Sequence, residues 1–153
     1  MDSDKLNRWL TLGANLGVLV GIILLIIELN QSRDMMRAQT RAAVTESIFT
    51  LLAMERDPYV VSAYRKLADG EELSFEEKYF MGNMANATFR SWENSYYQNK
   101  SGLFERGEFD AEIQVGREMI AEPHMAEHWS KNQQIYSKPF QDHVNNNLIR
   151  STQ

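Results

Sequence analysis

The chain has 153 residues, with 16 Lys and Arg against 21 Asp and Glu, a net charge of −5 and no cysteine. That length gives one domain of ordinary size plus a short extra element. The acidic balance argues against a nucleic-acid partner, whose phosphates call for clustered Lys and Arg, and the lack of cysteine excludes disulfides, thiolate metal sites and thiol nucleophiles.

From Trp9 to Ile27 the sequence reads WLTLGANLGVLVGIILLII, without a charged side chain. About 19 residues at 1.5 Å each cover about 28 Å, close to the hydrocarbon thickness of a bilayer. This predicts a transmembrane helix over residues 9–29 within an N-terminal part, residues 1–30, followed by a soluble helical domain, residues 31–153. A signal peptide is the competing reading, with Lys5 and Arg8 as its basic start. The run is longer than a signal core, however, and it ends in Glu28-Leu29-Asn30-Gln31 without a small-x-small cleavage site, so an uncleaved anchor is expected. Trp9 sits where an interfacial aromatic belongs. Arg33, Arg37 and Arg41 after the span outweigh Lys5 and Arg8 before it, which favours a cytoplasmic C-terminal domain.

Gly13, Gly17 and Gly21 recur every fourth residue, so three missing side chains share one stripe and let a second helix approach closely. Self-association through this stripe and through the soluble helices is therefore expected. Glu28 falls over the same stripe and Asn15 on roughly the opposite face. A two-helix contact that buried the glycines would leave the Asn15 amide in lipid, and an assembly of three or more helices would relieve that conflict.

Past the span the pattern stays helical, predicting an all-α domain. The first helix should continue to Glu55 or Arg56, with Val44, Ile48, Leu51 and Leu52 on one apolar stripe. Asp57-Pro58 restarts the chain as N-cap and first-turn proline, and Gly70 ends that helix. Ser74-Phe75-Glu76-Glu77 fits a capping box, opening a long helix to Ser101 that Gly102 stops. Further short helices should begin near Asp110, near Pro123 and after Ser137, while Asn145-Asn146-Asn147 and the last residues are expected to fray.

Three constellations are candidates for function. Arg33, Arg37 and Arg41 form a basic stripe that would touch lipid phosphates, or, with Glu28 and Asn15, line an anion-favouring vestibule if the helices form a ring. Phe89, Trp92 and Tyr96 at helical spacing, interleaved with Arg90, Glu93 and Asn94, read as an aromatic core stripe with a satisfied polar network, Arg90 pairing with a carboxylate such as Glu93. His124-Met125-Ala126-Glu127-His128 matches the H-x-x-E-H pattern of a zinc hydrolase class, making His124 and His128 candidate ligands. Only Asp142 and His143 lie downstream to supply a third. The ordinary alternative is a solvent-facing helix start after Pro123 with Trp129 turned to the core, and no metal or other cofactor is expected.

Asn15-Leu16-Gly17-Val18-Leu19-Val20-Gly21-Ile22, Glu28-Leu29-Asn30-Gln31, Asp57-Pro58, Phe89-Arg90, Glu93-Asn94, Tyr96-Tyr97-Gln98 and Gly102-Leu103 together give a resemblance covering most of the chain. The sequence resembles a broad family of small, single-span bacterial membrane proteins known only as hypothetical proteins. The resemblance implies the bacterial inner membrane and draws attention to Asn15, Glu28 and the Arg90 to Gln98 segment, but it brings no activity. His124 and His128 depart from the family's usual residues, which counts against zinc. The expected role is that of a non-enzymatic scaffold or regulator, partnered by the bilayer, by its own copies and by a further membrane protein. A small homo-oligomeric pore is the alternative, ahead of a zinc hydrolase.

Overall fold

The structure, a computed structural model, describes residues 2–104 and 107–149. It is all-α, with no strand among the described residues. Helix α1 runs over Ser3–Met54, α2 over Pro58–Asp69, α3 over Phe75–Lys100, α4 over Glu108–Ile120, α5 over Pro123–Asn132 and α6 over Lys138–His143. A 3-10 turn, Gln133–Ile135, joins α5 to α6, and a π-helical turn, Val144–Ile149, follows α6. The chain divides into two units, Met1–Ala38 and Gln39–Gln153, so the division falls inside α1 and later than residue 30.

The first unit is helix throughout its described length apart from its first residue. It carries an apolar window long enough to cross a membrane, none of which is buried. Such exposure of its many Leu, Val and Ile side chains is unfavourable in water at about 25 cal/mol per Å² and is relieved in hydrocarbon.

The second unit owes its helix ends to local chemistry. Asp57 accepts from the Tyr59 backbone N–H at 2.9 Å and Pro58 opens α2. Gly70 closes α2 at φ 72°, a left-handed conformation that a Cβ would strain. The capping box at α3 is complete, with Ser74 Oγ accepting from the Glu77 N–H at 3.2 Å and Glu77 Oε2 accepting from the Ser74 N–H at 2.6 Å. Gly107, at φ 92°, precedes α4.

Two apolar clusters hold the unit together. Val60 and Ala63 of α2 meet Met81 and Met84 of α3. The larger cluster gathers Phe89 of α3, Ile120 of α4, Met125 and Trp129 of α5, Tyr136, Phe140 of α6, and Val144 and Leu148. The expectation that Asn145-Asn146-Asn147 frays is therefore corrected. Val144 and Leu148, four apart on one helical face, are 0% and 4% exposed, and Asn145 Oδ1 accepts from Trp129 Nε1 at 2.9 Å. The apolar anchors on either side of the asparagines overcome the polar run between them. The final residues, 150–153, lie outside the described residues.

Candidate functional site

The polar and aromatic residues of α3 form a cluster with a segment more than forty positions away. Phe89 is fully buried, packed edge-on to Trp92 and against Trp129 and Tyr136. Arg90 Nη1 donates to Glu93 Oε2 at 2.8 Å, Nη2 donates to the Ile135 carbonyl at 3.1 Å, and the guanidinium lies 4.7 Å from the centre of the Tyr136 ring. Glu93 Oε1 accepts from the Ser137 N–H at 2.7 Å. Burial works to raise the Glu93 pKa, but the hydrogen bonds from Ser137 and Arg90 outweigh it and bring it below the usual value. Tyr136 donates to Asn86 Oδ1 at 2.9 Å, and burial pushes its phenol up to about 12. Tyr96 packs on Tyr97 and His143, while Asn94 stays exposed and outside the network. These atoms bond one another, which suits a clasp between α3 and the residue 133–137 segment.

The histidines are separated in role. His124 is half-buried edge-on to Tyr64, rather than facing solvent, and burial lowers its pKa against the pull of Glu122. His128 stacks on Phe89 and lies 3.4 Å from the Tyr136 hydroxyl, and burial lowers its pKa too. His143 packs against Tyr96, Phe109 and Phe140. Among the described residues no three His, Asp or Glu side chains converge in a metal-binding group. Trp129 is turned into the core, 2% exposed.

Among the described residues, a groove of about 570 Å³ in the second unit has room for a ligand, within the roughly 300–1,000 Å³ usual for small-molecule sites. One wall is the residue 39–54 stretch of α1, through Val44, Ile48, Leu51 and Leu52. The Ser47 and Ser91 hydroxyls share a hydrogen bond of 2.8 Å that fixes this stretch to α3, which contributes Thr88, Ser91 and Trp92. The other wall is α4, through Ala111, Glu112, Val115 and Met119. Arg41 Nε and Nη2 both donate to Glu108 Oε1, at 3.0 and 2.9 Å, tying the two walls together.

Glu112 lines the groove and also a neighbouring cavity of about 20 Å³ bounded by Trp92, Phe140 and His143, room for about one water. Burial raises its pKa, opposed by a hydrogen bond with the Ser95 side chain, and Oε2 is buried without a hydrogen-bond partner. A signal for this residue is present in the sequence. Phe109, Glu112, Ile113, Gly116 and Ile120 follow the 3, 4, 7 spacing of one helical face, which places a carboxyl among apolar neighbours. The groove itself depends on how three helices meet and carries no such signal.

In the first unit, Gly13, Gly17 and Gly21 have nothing within 4 Å of where a Cβ would stand, and Asn15, Glu28 and Arg33 are exposed. Arg37 is half-buried, and Arg41 belongs to the groove through Glu108. Compared with family models, curated proteins and solved structures, the chain finds no match.

Proposed function

We propose that the protein is a single-pass protein of the bacterial inner membrane that self-assembles through α1 and acts as a structural or regulatory scaffold, with its second unit in the cytoplasm. The observation that carries this reading is the wholly exposed apolar window of α1, along which Gly13, Gly17 and Gly21 leave an open stripe. In hydrocarbon, helices gain little from hydrophobicity alone and associate where small residues allow close packing. Asn15, exposed on roughly the opposite face, supports an assembly in which each helix has two protein-facing sides.

Native mass spectrometry of the full chain in mild detergent tests it. The wild type should fly as a discrete oligomer, and Gly17→Leu should shift it towards monomer while Leu24→Ala does not. A monomeric wild type, or an oligomer indifferent to Gly17→Leu, sinks the reading.

A further inference from the structure

The groove between residues 39–54 of α1 and helices α3 and α4 is where the second unit leaves space unfilled, and its hydrogen-bonding groups limit what could enter. Its walls are mainly aliphatic, and Ile48, Leu52 and Val115 remain about half exposed there. The hydroxyls along them are already engaged. Thr45 Oγ1 donates to the Arg41 carbonyl at 2.9 Å, Thr88 Oγ1 donates to the Met84 carbonyl at 3.0 Å, and Ser91 is bonded to Ser47. Arg41 is engaged by Glu108 through both Nε and Nη2. The lining therefore presents a ligand chiefly with acceptors, the lone pairs of hydroxyls and carboxyls.

Charge points the same way. Among the described lining residues Glu55, Glu108 and Glu112 bring three carboxyls against the single cation of Arg41, and Arg41 and Glu108 offset one another. Glu55 and Glu112 are left to set the sign of the groove. Glu55 is exposed, so water screens it. Glu112 is drawn out of water: its Oε2 is buried without a hydrogen-bond partner, and burial penalises its ionised form. Trp92 borders the same two spaces as Glu112, the groove and the small cavity beside it, and the face of an indole attracts a cation. A protonated amine supplies both things this corner lacks, an N–H donor and a countercharge, whereas an anion would meet acceptors. We infer that the groove is a binding site for a hydrophobic amine, its ammonium at Glu112 and Trp92 and its apolar body along Val44, Ile48 and Val115. Beside that ammonium the carboxylate of Glu112 regains the stabilisation that burial removes. The site stands within a single chain and holds whether or not the protein self-assembles.

Trp92 lines the groove, Trp129 is buried in the core and Trp9 lies in the apolar segment, so fluorescence can report the site. The full chain carrying Trp9→Phe, reconstituted in phosphatidylcholine nanodiscs, is titrated with 4-(4-bromophenyl)butylamine, whose aryl bromide quenches indole on contact. The alcohol and the carboxylic acid of the same skeleton are titrated beside it at about pH 7, where the amine is cationic and the acid anionic. The amine should quench the Trp92 share of emission saturably, with a midpoint about tenfold below that of the alcohol, the gain of one hydrogen bond to a charged group. The acid should bind more weakly than either. Glu112→Gln should raise the amine's midpoint to that of the alcohol and leave the alcohol's unchanged, which also shows that the groove is still formed. Quenching by the amine that rises linearly without saturation would overturn the proposal. So would a wild-type preference for the alcohol or the acid, or a Glu112→Gln variant in which the amine keeps its advantage. Should that variant fail to fold, the order of the three ligands on the Trp9→Phe chain still decides.

Discussion

Glu77 and Glu112 are both drawn out of water, and their surroundings send them in opposite directions. Glu77 is 3% exposed and accepts from Ser62 Oγ at 2.6 Å, from Lys66 Nζ at 2.9 Å and from the Ser74 N–H at 2.6 Å. These bonds, Ser62 foremost, lower its pKa from 4.5 to about 2. A folded-state value below the unfolded one means that the contribution is complete above pH 4.5 and is lost as pH falls towards 2. Acid titration of the full chain in a non-ionic detergent should therefore show the melting temperature dropping across that window, and Glu77→Ala should lower it at pH 7 and flatten the drop. A slope unchanged in the variant would show that other carboxylates set acid stability. Glu112 behaves inversely, since burial raises its folded-state pKa. Its protonated form favours the fold, and the advantage is lost as pH rises through the raised value. Glu112→Gln keeps the shape and removes the ionisation, so its melting temperature should match the wild type below pH 4.5 and exceed it by a margin that grows above that and levels once pH passes the raised value. A gap that closes with rising pH would contradict a buried carboxyl with one oxygen left without a partner.

At the scale of elements, the helix ends were legible and the long-range clasp was not. Asp57-Pro58, Gly70, and Ser74 with Glu77 act within one turn, so their chemistry is written in adjacent letters. The Arg90 to Glu93 pair, three residues apart, is equally local. Their partners Ile135, Tyr136 and Ser137 are reached only when α5 folds back onto α3, which periodicity does not encode. The same reason explains Val144–Ile149, where a polar asparagine run hides two residues that the core of α3, α5 and α6 buries. Phe89 is the side chain on which these elements converge, touching Trp92, His128, Trp129 and Tyr136. Phe89→Ala should cost about 3–5 kcal/mol, the range for emptying a buried aromatic site, measured by urea titration of Trp129 emission. A loss near zero would mean that the α3 clasp closes without its centre.

For the whole molecule, the consequence lies in how differently the two units are stabilised. The second unit depends on side chains buried between helices, Phe89, Phe140, Met125 and Val144 among them, and such packing is lost cooperatively. The apolar window of α1 has none of its residues buried, and its backbone hydrogen bonds are local to the helix. In a micelle those bonds have no water to exchange with, so the helix persists where packing fails. The composition and length of residues 9–27 already marked a helix long and apolar enough to cross a membrane, because that property is set by length and apolarity alone. The groove was beyond reach because it is the space left by three helices rather than a property of any. Heating the full chain in detergent should therefore abolish near-ultraviolet circular dichroism and the Trp129 signal at a single midpoint. Far-ultraviolet ellipticity should level off at a residual helical signal about the size of the α1 span. If all three signals vanish together, α1 draws its stability from the second unit and the division of the chain into two independently held parts is wrong.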